Sequence, residues 1–222
     1  MKNFGKALKL YLKVLFNPLL TLFSAVIIVG ILIAAVHEPE VPESDEYMSM
    51  IGSVGFGQIG IAVFCLFGSI TISRNKWFAS MPFAKTLFTV IPVIVSSVIS
   101  LIYYNAAVTI AALCWEQQAL SDLLIFVPIN SAVMCLAISA IGKPKLEWIY
   151  LICILFLGTQ QFVLPNISAT KHGFGLPLVI SAFIGLMIFI VGIAVSLFIS
   201  DTWWRKCDHV HRGNYNYTAI TR

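Results

Sequence analysis

Six long runs of apolar residues, separated by short polar stretches, constrain this chain more than any other feature. A helix needs roughly 20 apolar residues to cross about 30 Å of hydrocarbon, and each run is close to that length. Only 11% of the residues are charged and 59% are hydrophobic, whereas soluble domains carry about 25% charged residues. The sequence predicts one all-α, polytopic transmembrane domain over residues 1–222. Its predicted spans cover residues 18–36, 51–72, 86–114, 123–141, 148–164 and 176–200.

The basic residues predict the orientation of these spans. Lysine and arginine concentrate in cytoplasmic loops of membrane proteins. With the N-terminus inside, the cytoplasmic segments hold all 14 lysines and arginines except Lys171. The six spans alternate correctly in this arrangement. We therefore expect both termini in the cytoplasm, with residues 201–222 as a cytoplasmic tail.

The N-terminal segment, residues 1–16, is too polar to span a membrane but is clearly patterned. Its lysines are spaced by four, three and four residues, so they share one face of a helix. Apolar residues occupy the other side, and Asn17-Pro18 ends the pattern. This predicts an amphipathic helix lying in the interface, with its lysines near anionic headgroups and its apolar face in the acyl boundary. A basic flank that only sets topology is the alternative. The predicted interfacial lysines are Lys2, Lys6, Lys9 and Lys13.

The connection between the second and third spans is unusually rich in aromatic and apolar residues. It holds Trp77, Phe78, Met81 and Phe83 within a short basic stretch. Exposed apolar side chains flanked by basic ones indicate a surface for a partner, and aromatic anchors on a short helix suit recognition in a groove. An interfacial aromatic belt is the alternative interpretation.

The chain resembles the permeases of the type-two ABC exporter family. Those permeases have an amphipathic elbow helix, six spans, and a cytoplasmic coupling helix between spans two and three. Residues 76–85 are similar to the coupling-helix pattern, with Ser80-Met81-Pro82 at the centre; the acidic residue that often precedes it is replaced by Ser73-Arg74-Asn75. The resemblance implies ATPase contact by Lys76, Trp77, Phe78, Ser80, Met81, Pro82 and Phe83.

The same resemblance implies partners and a location. Two permease copies, or this chain and a related one, pair with two copies of a cytoplasmic ABC ATPase, which bind ATP and Mg²⁺. The membrane is the bacterial plasma membrane. The compact size and short outer loops resemble exporters of amphipathic peptides, such as the phenol-soluble modulin and bacteriocin exporters. Cargo would then be an amphipathic peptide or another hydrophobic compound.

Mild polar residues inside the spans are the candidates for a translocation path. Such groups also join helices by hydrogen bonds, which is the plainer interpretation. No strongly ionisable residue lies well inside any predicted span, which argues against a proton-coupled antiporter. In the resembled family, spans two and five flank the route between protomers. The predicted path residues are Gln58, Asn105, Gln160 and Gln161.

Several kinds of chemistry have no motif in this sequence. There is no P-loop, no His-Glu-x-x-His and no Gly-x-Ser-x-Gly, so we expect no catalytic residues and no cofactor bound by this chain. Cys207-Asp-His-Val-His211 lacks the usual zinc spacing, and nothing suggests a nucleic-acid partner. Two alternatives stay open: a six-helix carrier or channel that works without an ATPase, and an intramembrane enzyme.

Overall fold

The computed structural model describes residues 2–37, 47–143, 145–163 and 173–206, without the side chains of Lys2, Lys76, 47–50 and 160–163. Within these ranges the regular structure is entirely helical, as the sequence predicts. Residues 38–46, between the first two predicted spans, residues 164–172 and residues 207–222 of the predicted tail lie outside the described residues. The helices are α1 (Lys2–Leu15), α2 (Pro18–Ala34), α3 (Tyr47–Arg74), α4 (Lys76–Ala79), α5 (Ala84–Cys114), α6 (Gln117–Ala140), α7 (Glu147–Val163) and α8 (Leu178–Lys206).

Four of these helices, α3, α5, α6 and α8, are long and apolar enough to cross a membrane. A fifth results if α1 and α2, which meet at an 82° bend, are counted as one broken span. Helices α2 and α7 have 17 residues each, slightly fewer than the roughly 20 that a perpendicular span needs. The structure thus supports a helical protein with four or five membrane-crossing helices, and the count of six stays a prediction.

Contacts between helix termini show which of them lie together at each of the two ends of the bundle. At one end, Tyr11 of α1 meets Ser69 near the end of α3, and Lys85 at the start of α5 meets Asp201 near the end of α8. We call this the α4 end. At the other, the indole Nε1 of Trp115 donates to the carbonyl oxygen of Ala35 (2.9 Å), just after α2. We call this the Trp115 end. Among the described residues, every lysine and arginine belongs to a segment at the α4 end.

Helix α6 is the centre of the bundle. It packs against α3, α5, α7 and α8. In its apolar stretch of 18 residues, 83% is buried, whereas in the corresponding stretch of α8 only 17% is buried. Small residues allow α8 to come close. A Cβ atom at Gly185 would lie 3.2 Å from the carbonyl carbon of Leu124 and 3.1 Å from Cγ of Pro128. Helix α8 therefore presents one narrow face of small residues to α6, while its wide apolar face points outward, as suits a lipid solvent.

Helix α1 is amphipathic as predicted, but its apolar face packs mainly on protein. Ala7, Tyr11 and Leu15 are buried against α3 and α5, and the Tyr11 hydroxyl lies 3.1 Å from Oγ of Ser69. The acyl boundary predicted for this face is thus largely replaced by the bundle, because α1 folds back at the bend. Phe4 stays partly exposed, and the side chains of Lys6, Lys9 and Lys13 are exposed.

The turn between α1 and α2 forms where the sequence predicts it. Asn17 has an extended backbone, and its side-chain oxygen Oδ1 accepts from the N–H of Leu19 at 3.1 Å. Pro18 takes the first position of α2, where its missing N–H has no helical partner to lose. Local chemistry alone therefore accounts for the end of α1 and the start of α2.

Close packing between α3 and α5 generates the first prediction. A Cβ atom at Gly57 would lie 2.8 Å from Cε2 of Tyr103, while a Cβ atom at Gly52 meets nothing within 4 Å. We expect Gly57→Ala to lower the unfolding midpoint in detergent by several degrees. Gly52→Ala, the matched control on the same helix, is expected to leave it unchanged or raise it, because alanine favours helix by about 1 kcal/mol over glycine. Equal effects of the two substitutions would contradict the α3–α5 contact.

Candidate functional site

The connection between α3 and α5 folds into one isolated helical turn, α4. Asn75 ends α3 and caps α4: its backbone is extended, and its Oδ1 accepts from the N–H of Trp77 at 3.0 Å. Ser80 closes the turn, since its hydroxyl donates to the carbonyl oxygen of Trp77 at 2.8 Å. Asparagine and serine compete well for backbone groups at helix ends. These two residues therefore hold α4 as a separate turn between two long helices.

The predicted partner-facing residues divide into two groups. Phe78 is 7% exposed and belongs to the hydrophobic core, whereas Trp77 is 64% exposed; their ring centroids are 5.6 Å apart. Met81 and Phe83 are half-buried against the core, while Ser80 and Pro82 are exposed. The side chain of Lys76 lies outside the described part. One buried ring thus anchors α4, and the neighbouring indole is presented outward.

A short groove adjoins α4 on the outer side of α3. It encloses about 760 Å³ and is lined by Phe67, Ile70, Thr71, Arg74 and Asn75. These positions, apart from Asn75, repeat at three and four residues and form one stripe along the helix. The groove is open and mainly apolar, with the guanidinium of Arg74 at its α4 end. It suits an amphipathic group better than a small ion.

An ion-pair cluster connects the start of α5 with the end of α8. Nζ of Lys85 lies 2.8 Å from Oδ1 of Asp201, whose other oxygen, Oδ2, lies 2.7 Å from Nε of Arg205. Next to this cluster, three residues further along α5 and α8, the ring centroids of Phe88 and Trp204 are 6.0 Å apart. These charges are in contact with solvent, so the cluster adds little stability and mainly sets the register of α5 against α8. In the sequence, the signal that could have indicated this cluster is Asp201, an acidic residue that follows the last predicted span and is itself followed by Arg205 and Lys206.

Lys143 is buried in the connection after α6, which the sequence predicts to be a cytoplasmic segment. Its side chain is 4% exposed, Nζ donates to Oγ of Ser200 at 2.8 Å, and Nζ lies 5.4 Å from the ring centroid of Trp203. Burial disfavours the charged form and lowers the pKa of Lys143 from 10.5 to about 7. This lysine therefore joins the ends of α6 and α8.

Of the four predicted path residues, the structure describes the side chains of Gln58 and Asn105, which differ in burial. Gln58 is fully buried: its Nε2 donates to Oγ of Ser131 at 2.9 Å, and its Oε1 accepts from Oγ of Ser100 at 3.0 Å. Asn105 is exposed and donates to the carbonyl oxygen of Leu101 at 2.7 Å. The side chains of residues 160 and 161 lie outside the described part. Gln58 thus joins α3, α5 and α6, and its role in a path stays a prediction.

A second buried amide sits beside this network. Asn130 of α6 is fully buried, and neither atom of its amide has a hydrogen-bond partner in the structure. It faces Gly55 of α3, where an added Cβ would lie 3.2 Å from Cγ of Asn130. A buried amide without partners is costly, so this position is a weak point of the α3–α6 contact.

One ionisable residue lies deeper than the sequence predicts. The predicted fourth span begins at residue 123, but α6 begins at Gln117, which places Asp122 in its second turn and fully buried. Its Oδ1 accepts from the N–H of Phe174 at 2.8 Å. Helix α6 therefore begins six residues before the predicted span, and Asp122 lies near its start. The expectation that no strongly ionisable residue lies well inside a span is not contradicted by this position. Asp122 binds the segment that leads into α8.

The described residues contain no group of three or more histidine, cysteine or acidic side chains able to hold a metal ion. The Cys207–His211 segment lies outside them. No family model, curated protein or solved structure matches this chain. Its interpretation therefore depends on its own residues and their geometry.

The buried position of Lys143 predicts a pH-dependent stability. The folded chain releases this proton near pH 7 and the unfolded chain near pH 10.5, so between them the unfolded state binds more protons and stability rises with pH, by at most about 1.4 kcal/mol per pH unit. We expect the unfolding midpoint in detergent to rise across this window and Lys143→Met to flatten the rise. Lys145→Met, at an exposed neighbour, is the control; an equal slope in both variants would rule out the buried lysine as the cause.

The contact of Asp122 with residues 173–174 predicts that alanine at Gly173 destabilises the protein more than alanine at Gly175. Gly173 and Gly175 both have positive φ, of 67° and 61°, which costs alanine about 1–2 kcal/mol. A Cβ atom at Gly173 would also lie 2.9 Å from Cγ of Asp122, while one at Gly175 meets nothing within 4 Å. In thermal unfolding, Gly173→Ala should therefore be clearly more destabilising than Gly175→Ala. Indistinguishable midpoints would mean that Asp122 does not hold this segment.

Proposed function

We propose that this chain is the permease subunit of an ATP-driven exporter of the type-two ABC kind. It would cross the bacterial plasma membrane six times, with α2 and α7 as the two shorter spans and both termini in the cytoplasm. Two permease copies would enclose the translocation path and pair with two ABC ATPase subunits. ATP and Mg²⁺ would bind to those subunits, so this chain would not itself be an enzyme.

The observation that carries this proposal is the geometry of α4. A connector that only joined two spans would have no reason to bury one ring and present the next. Here Phe78 is inserted into the core and Trp77 is 64% exposed, on a turn capped at both ends. A rigid element with an outward aromatic anchor suits docking into a groove of a soluble partner.

The contacts around α4 supply a physical route for coupling. Movement of α4 would act on α3 through Asn75 and on α5 through the residues that follow. Lys85 at the start of α5 is held to Asp201 of α8, so α8 would move with α5. Nucleotide binding would bias two arrangements of these helices through the differential affinity of the ATPases for them.

Cargo and lipid contacts follow from the surfaces at the same end. The groove lined by Phe67, Ile70 and Arg74 is apolar with a cationic rim, which suits an amphipathic peptide or another hydrophobic compound. The exposed Lys6, Lys9 and Lys13 of α1 would contact anionic headgroups, each contributing about 1 kcal/mol near the surface.

A carrier that works without an ATPase is the second candidate, and Asp122 favours it. Ion-coupled carriers keep carboxylates within their spans, and Asp122 is fully buried in α6. Its bond to the N–H of Phe174 gives it a structural role as well. Transport by the chain alone in liposomes, abolished by Asp122→Asn, would establish this candidate in place of the ATP-driven one.

Two exposed tryptophans at the α4 end allow a matched test of the ATP-driven function. Trp77 is 64% exposed and Trp148, at the start of α7, is 60% exposed, so truncation of either leaves the core intact. The chain is co-expressed with each P-loop ATPase encoded near its gene, and the purified complexes are assayed for ATP hydrolysis in nanodiscs. We expect Trp77→Ala to weaken ATPase association at least tenfold and Trp148→Ala to leave it unchanged.

The ATP-driven proposal fails if no ATPase binds the wild-type chain, or if both tryptophan variants retain full association and coupled hydrolysis. Membrane insertion of each variant is checked by its elution as a monodisperse peak in detergent. Phe78→Ala serves as a contrast, because loss of a buried ring lowers the unfolding midpoint, which Trp77→Ala should not do.

A further inference from the structure

A second cavity lies within the bundle, between α5, α6 and α8, away from α4. It has a volume of about 230 Å³ and is lined by Leu101, Tyr104, Pro128, Ser131, Ala182, Gly185, Leu186 and Phe189. An apolar cavity of about 150 Å³ inside a protein is enough to bind benzene. This cavity therefore has room for a ring of that size with a short substituent, and is too small for a two-chain lipid.

The depth of the cavity identifies the surroundings from which a ligand would enter. Tyr104 lies 20 residues after the start of α5 and 10 before its end, which is about 30 Å and about 15 Å along the helix. Leu101 and Leu186 at the rim are exposed by 44% and 54%. The rim is thus apolar and opens sideways from the interior of a helix bundle toward hydrocarbon. Charged headgroups would not reach this depth.

The walls carry a small amount of hydrogen-bonding capacity. Six of the eight lining residues are aliphatic or aromatic without a hydroxyl, and the two hydroxyl groups belong to Tyr104 and Ser131. Oγ of Ser131 already donates to the carbonyl oxygen of Val127 at 2.8 Å and accepts from Gln58. The phenol of Tyr104 is half-buried and is the group better able to donate to a ligand. Pockets of this composition take mainly apolar molecules oriented by one or two polar contacts.

We propose that the cavity between α5, α6 and α8 binds a small, uncharged, mainly apolar molecule with one hydrogen-bond acceptor, which enters from the hydrocarbon and pairs with the Tyr104 hydroxyl. The close approach of α8 to α6 at Gly185 closes the back of the cavity. Ser131 connects the same wall with Gln58 and, through it, with Ser100. A bound molecule would therefore lie against the network that joins α3, α5 and α6. This site does not depend on an ATPase partner.

Photolabelling of the full chain in nanodiscs tests this site. The probe is a benzyl alcohol that carries a photoreactive diazirine, and labelled peptides are identified by mass spectrometry. We expect saturable labelling at Leu101, Leu186 or Phe189 that unlabelled benzyl alcohol displaces. Labelling that benzyl alcohol does not displace, or that is spread evenly over outer residues of α8 such as Val179 and Phe183, would overturn the proposal, since both describe passive contact with the bilayer.

Two alanines on α8 supply a matched pair of variants. Both are exposed, but Ala182 lines the cavity and Ala194 does not. Ala182→Phe should reduce saturable labelling at least tenfold, and Ala194→Phe should leave it unchanged; equal labelling in the two variants would overturn the proposal. Tyr104→Phe should raise the concentration of benzyl alcohol needed for half displacement at least threefold without changing that of toluene, which has no hydroxyl. An equal effect on both compounds would contradict the hydrogen bond to Tyr104.

Discussion

The need to satisfy polar groups inside the bundle controls this structure. Hydrocarbon supplies no hydrogen-bond partners, so each polar side chain among the spans must be paired within the protein or bear a cost of several kcal/mol. The central helix α6 carries the largest share of these groups, and its neighbours are arranged around them. Ser131 pairs with Gln58 of α3, and Asp122 accepts from the segment before α8. Where the pairing is incomplete, as at Asn130, a buried polar group bears that cost.

The α4 end concentrates the features that a soluble partner or a membrane surface would meet. The anchored Phe78 and the exposed Trp77 are adjacent in sequence but opposite in role, because a single helical turn directs neighbouring side chains about 100° apart. Lys85, Asp201 and Arg205 join α5 to α8 within the same end. Lys143 adds a buried contact between α6 and α8. Asn75 and the buried Phe78 connect the turn that carries the exposed indole to the long helices.

The two cavities lie at different depths and suit different chemistry. The groove beside α4 is open and has the guanidinium of Arg74 at its α4 end. The cavity beside Tyr104 is smaller and opens to the apolar face of α5 and α8. The network from Ser131 through Gln58 to Ser100 lies behind the second cavity and joins the helices that lead toward the first. A molecule bound beside Tyr104 would lie against α5, the helix that follows α4 in the chain.

Hydropathy and local chemistry were sufficient to predict the helices of this chain. Apolar runs marked the long helices, lysines four and three residues apart marked α1, and Asn17-Pro18 marked the turn before α2, because each depends on neighbours within one or two helical turns. The roles of single side chains depended on tertiary structure. Trp77 and Phe78 are both aromatic, but Trp77 is exposed and Phe78 is buried. Lys143 is buried against α8, and Asp122 belongs to α6 although it precedes the apolar run. The partners of Lys143 and Asp122 lie more than 50 positions away, at Ser200 and Phe174, and no local pattern records which distant segment will face a given side chain.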